Sequence, residues 1–136
     1  MTVIVCICDG GGMLFNNRRL SRDRLLMENL SAFIGDGALY ISDFSEHLFE
    51  KTDLCTIVAS DPLDRAKKED FVFVENLSLA KYKNKIDRLV IYKWNRSYPF
   101  DFSLDISPEK EKMTLTEGTD FKGSSHEEIT REIWKR

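Results

Sequence analysis

Val3-Ile4-Val5-Cys6-Ile7-Cys8, followed by Gly10-Gly11-Gly12 and then by Leu20-Ser21-Arg22-Asp23-Arg24-Leu25-Leu26-Met27, is the stretch on which the fold turns. The first run is apolar without alternation, the pattern of a strand buried on both faces. The glycines predict a turn, and a helix follows over 21–34. Its apolar face reads Leu26, Met27, Leu30, Phe33 and Ile34, the three-and-four spacing of an amphipathic helix. At about 100° per residue, Asp23 falls near the middle of that stripe. A carboxylate facing a core is costly unless something hydrogen-bonds it, so Asp23 is expected to border a cleft between this helix and the sheet. Ser21 is the expected N-cap, and Gly35-Asp36-Gly37 the stop. As an acid in the first turn, Asp23 would also be favoured by the helix dipole alone.

The rest of the chain is ordinary in composition. Its 136 residues suit one domain, and 42% hydrophobic with 32% charged residues describes a globular chain. Twenty basic against 23 acidic residues leave a net charge of −3, so bulk charge points to neither nucleic acid nor an anionic membrane. The apolar runs are far shorter than a bilayer span, and the front of the chain lacks the pattern of a secretion signal. Cys6, Cys8 and Cys55 are odd in number and sit in apolar strand patterns, as buried thiols of a reducing compartment do. A cytoplasmic protein with no membrane partner is therefore expected. His47 and His126 have no partners at ligand spacing, so no metal site is expected.

Further elements are expected as strand 38–42, helix 44–51, strand 54–59, strand 71–75, a helical turn over 77–83, and strands 87–94, 98–106, 111–116 and 127–134, the last of which could also be a short helix. Strands alternating with helices in the first half imply parallel pairing. Phe100, Phe102, Leu104 and Ile106 alternate with polar residues, and Asn95-Arg96 before them suggests a hairpin. The expected fold is a single α/β domain with a mixed, mostly parallel central sheet flanked by helices.

These elements, in this order, resemble the dihydrofolate reductase family over nearly the whole chain. Leu20-Ser21-Arg22-Asp23 followed by Met27 is similar to the family's Leu-Pro-x-Asp segment, whose acid holds the pterin ring. Leu39-Tyr40-Ile41-Ser42 resembles the strand that leads into the family's Met-Gly-Arg-x-Thr. Phe71-Val72-Phe73-Val74-Glu75-Asn76 stands where the family has a strand ending in Ile-Gly-Gly, and Tyr98-Pro99-Phe100-Asp101-Phe102 resembles its Asp-Thr-x-Phe segment. The ending, with Ser125-His126 before a last strand, resembles the family's C-terminal antiparallel hairpin.

The resemblance implies Asp23 as the catalytic acid, with Met27, Lys51 and Phe102 at ligand positions; Lys51 stands near the family's tail-binding arginine. The departures fall on the cofactor side. Glu75-Asn76 replaces paired glycines that approach the cofactor pyrophosphate, and Ser42-Asp43 replaces a glycine and a phosphate-binding arginine. With side-chain bulk and two acids in an anion site, ordinary NADPH binding is not expected.

Other chemistries find little support. The glycine triplet lacks the Lys-Ser/Thr of a Walker loop, and there is no Gly-x-Ser-x-Gly elbow. Arg18, Arg19, Arg22 and Arg24 form a basic cluster, more often a solvated face than an anion site. The leading expectation is a dihydrofolate-reductase-like protein that binds a small heteroaromatic, pterin-like ligand near Asp23. A non-catalytic binding or regulatory module is the alternative, and an anion or nucleic-acid contact through Arg18–Arg24 the weakest. Nothing in the sequence sets an oligomeric state.

Overall fold

The apolar run at the front forms the middle of the sheet. A computed structural model describes residues 1–136. In it β1 (Thr2–Ile7) is hydrogen-bonded on both sides and buried on both faces. Successive side chains of a strand point to opposite faces. Val3, Val5 and Ile7 accordingly enter one core layer and Ile4 the other.

The remaining elements follow as β2 (Gly12–Phe15), β3 (Arg18–Arg19), α1 (Arg24–Ile34), β4 (Ala38–Ile41), a 3₁₀ helix (Asp43–Phe49) and β5 (Cys55–Val58). After them come α2 (Pro62–Arg65), β6 (Phe71–Phe73), a second 3₁₀ helix (Ala80–Lys85), β7 (Arg88–Lys93), β8 (Phe102–Ser103), β9 (Thr114–Phe121) and β10 (Ile129–Lys135). The seven-stranded sheet runs β5-β4-β6-β1-β7-β10-β9. Its first five strands are parallel, and the β9–β10 hairpin adds to β7 in antiparallel fashion. A separate three-stranded antiparallel sheet runs β3-β2-β8. The chain is thus a single α/β domain on a mixed, mostly parallel sheet. No helix is long and apolar enough to cross a membrane.

Helix α1 packs Leu26, Leu30 and Ile34 against Leu39, Phe73, Val90 and Ile133 on one face of the sheet. Fully burying such side chains contributes about 1.5–3 kcal/mol each. The helix stops at Gly35, where φ is +60°, a left-handed value that glycine adopts without steric cost. The opposite face of the sheet is covered by Leu63 of α2, Leu79, Ile86, Ile106 and Met113.

Several expectations are corrected here. The cap of α1 is Asp23, in extended backbone with its carboxylate accepting from the Leu26 amide, and not Ser21. The helix expected over 44–51 is a 3₁₀ helix. The stretch 98–106 is not a return strand of the main sheet, because β10 already occupies the free edge of β7; only Phe102–Ser103 pairs, and it pairs with β2. Asn95-Arg96 accordingly closes no hairpin with β7. Cys55 is exposed on β5, whose only neighbour is β4, rather than buried. The β2–β3 hairpin was unexpected. Its Asn16-Asn17 tip has φ of +51° and +60°, the two left-handed residues of a tight hairpin turn.

Candidate functional site

The β3–α1 connection delivers residues 20–23 to the C-terminal side of the sheet, where the turn before β10 meets them. Asp23 is buried (4% exposed) and borders a narrow cleft. Three backbone amides donate to it. Those of Leu26 and Ser124 reach Oδ1 at 3.1 and 3.0 Å, and that of Ser125 reaches Oδ2 at 2.8 Å. The Ser124 hydroxyl adds a contact to Oδ1 at 3.1 Å, and Nδ1 of His126 lies 3.0 Å from Oδ2. A carboxylate offers about four lone-pair sites, and these donors fill them.

Burial alone would raise the Asp23 pKa. The Ser124 amide, the His126 ring and the Ser125 and Leu26 amides outweigh it and hold the carboxyl well below the usual carboxylate range. Gly123 makes this close approach possible: a Cβ there would sit 2.5 Å from Asp23 Oδ2 and 2.9 Å from Ile129 Cδ1. An ionised carboxylate has no hydrogen to give, so His126 Nδ1 is the donor. The other ring nitrogen, Nε2, faces the Ser21 and Tyr98 hydroxyls, 3.1 Å from each. Trp94 stacks on the imidazole at 4.6 Å and 27°.

A second buried polar group stands across the cleft. The Glu75 carboxylate takes a bidentate pair from Arg19 at 2.7 Å on each oxygen and a 2.7 Å bond from the Ser45 hydroxyl. The Arg19 guanidinium also lies 5.4 Å from the Phe44 ring centre. Cys6 lies between these groups, and burial, reinforced by Glu75, pushes its thiol well above its ordinary range. The cleft bounded by Asp23, Ser21, Met13, Met27, Glu75 and Trp94 has a free volume of about 20 Å³. That is room for about one water.

The structure divides the residues that sequence reading grouped together. Met27 borders both this cleft and an open groove of about 770 Å³ on the outer side of α1, where Lys51 joins Arg22, Arg24 and Leu48. Glu28, Asp36 and Asp53 border the same groove, and Glu28 pairs with Arg24 at 3.0 Å. Phe102 lies elsewhere, packed in the core layer on the opposite face of the sheet from α1. Ser42 donates to Asn76 at 3.2 Å, and Asp43 is exposed at the start of the first 3₁₀ helix. The arginines do not act as one cluster: Arg18, Arg22 and Arg24 face solvent, whereas Arg19 is committed to Glu75. No three or more His, Cys, Asp and Glu side chains converge as a metal site would need.

Sequence reading missed His126, Ser124, Ser125, Trp94 and Tyr98 as neighbours of Asp23. The only local signal was the Ser-Ser-His run ahead of the last strand. No protein-family model matches the chain, and a search of curated proteins finds no match.

Proposed function

We propose that this chain is a binding module of dihydrofolate-reductase-like architecture that takes a small heteroaromatic, acid-bearing ligand in the groove beside Asp23 and does not carry out NADPH-dependent reduction. The observation that carries this is the position of Met27, which opens onto both the Asp23 cleft and the groove holding Arg22 and Lys51. Met27 and Leu48 offer an apolar floor, and the two cations suit a carboxylate tail. The element order and the C-terminal hairpin support the architecture.

Two features argue against reductase chemistry. The Asp23 carboxylate is filled by protein donors, so a ring edge would have to displace Ser124, Ser125 or His126 to reach it. Where the resemblance implies a cofactor pyrophosphate, Glu75 and Asn76 carry side chains in place of glycines, and Asp43 is an exposed acid at the start of the neighbouring 3₁₀ helix. Arg19, the nearest cation, is spent on Glu75. These residues do not fit a dinucleotide phosphate. This supports a binding role without hydride transfer.

Calorimetric titration with folate, with pterin lacking the carboxylate tail, and with NADPH tests the reading. Folate is expected to bind more tightly than bare pterin, and Lys51→Ala should weaken folate up to about fivefold, the range of an exposed charge contact. NADPH should show no saturable binding. Micromolar NADPH affinity, about −8 kcal/mol, or no binding of any pterin, overturns it.

A further inference from the structure

The groups that fill the Asp23 carboxylate leave one reactive arrangement on the cleft side. Ser21 Oγ lies 3.1 Å from His126 Nε2, and His126 Nδ1 lies 3.0 Å from Asp23 Oδ2. A hydroxyl, an imidazole and an ionised carboxylate in that order are a nucleophile, its base and the group that orients the base. We propose that Ser21 is a nucleophile activated by His126 and Asp23, and that it accepts the acyl group of small carboxylic esters.

Four observations support it. The imidazole is fixed: Trp94 stacks on it, and the ring is 4% exposed, so Nε2 cannot swing away from Ser21. The Leu26, Ser124 and Ser125 amides fix the carboxylate that holds Nδ1, and this turns Nε2 toward the Ser21 hydroxyl. Ser21 borders the cleft, so its oxygen is not sealed in the core. Arg22, exposed beside the cleft and without a side-chain partner in the chain, is the nearby cation that could turn toward a developing oxyanion. The cleft's free volume of about 20 Å³ holds no more than a water, so the ester must reach Ser21 from the Met27 side, where the cleft adjoins the open groove. A larger leaving group would extend past Met27 into the open groove.

In the acylation step the Ser21 Oγ–carbon bond forms as the Oγ proton passes to His126 Nε2. The ester carbon–oxygen bond then breaks, and Nε2 returns that proton to the departing alkoxide. Water repeats the sequence on the acyl-serine, losing a proton to Nε2, and Ser21 leaves with it as the free hydroxyl. The Tyr98 hydroxyl shares Nε2 at 3.1 Å and is the competing nucleophile.

The test uses the whole chain with a small alkyl fluorophosphonate, followed by intact mass and peptide mapping, and with p-nitrophenyl acetate for turnover. The expected result is one adduct, mapped to Ser21, absent in Ser21→Ala of unchanged melting temperature and retained in Tyr98→Phe. His126→Gln should slow labelling at least about a hundredfold, the low end of a general base's contribution. The wild-type result is decisive even where a variant misfolds. No adduct at millimolar probe, an adduct on Tyr98, Ser124 or Ser125, or acetate release unchanged in Ser21→Ala overturns the proposal. Ser21 does not border the groove, so failure here leaves the ligand-binding reading to its own titrations.

Discussion

Asp23 Oδ2 and His126 Nδ1 stand 3.0 Å apart across 103 residues of sequence, both side chains essentially excluded from solvent. The pair joins the start of α1 to the turn before β10. Its partners, including the Leu26 amide of the helix itself, make Asp23 a structural clamp as well as a site residue.

Asp23→Asn should therefore destabilise the protein. An amide keeps one acceptor oxygen and turns an NH₂ toward donors that needed a carboxylate. Each hydrogen bond to the buried carboxylate contributes about 1.5–3 kcal/mol and the helix cap about 1 kcal/mol, so a loss of a few kcal/mol is expected. Urea unfolding of the two proteins checks it, and a change below about 1 kcal/mol would contradict the clamp.

The pH dependence follows from the depressed Asp23 pKa. The unfolded chain protonates this carboxyl near 3.9, whereas the folded chain keeps it ionised to lower pH. Its stabilisation is complete above about pH 5 and shrinks as pH falls through the unfolded value toward the folded one. Urea midpoints from pH 7 to pH 3 should decline, and Asp23→Asn should flatten part of that slope.

Arg19 and Glu75 should behave as a unit. Arg19→Ala leaves the Glu75 carboxylate buried with only the Ser45 hydroxyl at hand, at a cost of about 3–5 kcal/mol. Replacing both, as Arg19→Met with Glu75→Leu, should recover most of that loss. A double variant as unstable as the single one would show that the pair is not the origin of the penalty.

Gly123→Ala places a methyl where Asp23 Oδ2, Ile129 and the His126 carbonyl already sit. Overpacking of this kind costs about 1–3 kcal/mol. Gly118→Ala, with open space at the Cβ position, is the matched control and should change stability far less.

The three thiols should separate kinetically. Cys55 on exposed β5 is expected to react with a disulfide reagent at the rate of a free thiol. Buried Cys8, and Cys6 with its thiol pKa pushed up by burial, should react only on unfolding. Three fast thiols in the native protein would place the cleft open to solvent.

Sequence legibility followed how local the physics was. The β1 run and the α1 stripe were readable because burial on two faces, or on one helical stripe, leaves its period in neighbouring residues. The C-terminal hairpin came from the family resemblance instead, since the residues alone left the last segment a strand or a short helix; its two strands run Thr114–Phe121 and Ile129–Lys135. The alternation through Phe100, Phe102, Leu104 and Ile106 misled, since it reports one-sided burial and not a ladder partner; Phe102, Leu104 and Ile106 pack on the core largely without strand pairing. The Asn16-Asn17 turn carried a signal that went unused. Asp23 was legible as a carboxylate in need of partners. Those partners were not, because Ser124, Ser125 and His126 reach it from 101 to 103 residues away.

That separation has a consequence for synthesis. The N-terminal half leaves the ribosome with an acid set among the apolar side chains of α1 and no serine amides or imidazole to meet it. At about 5–20 residues per second, the turn that completes the cap emerges roughly 5–20 s later. During that interval the Leu26, Leu30 and Ile34 stripe lacks Ile129 and Ile133 of the last strand as neighbours. Until the β9–β10 hairpin is made, the first helix can dock only on the Leu39, Phe73 and Val90 side of its native contacts.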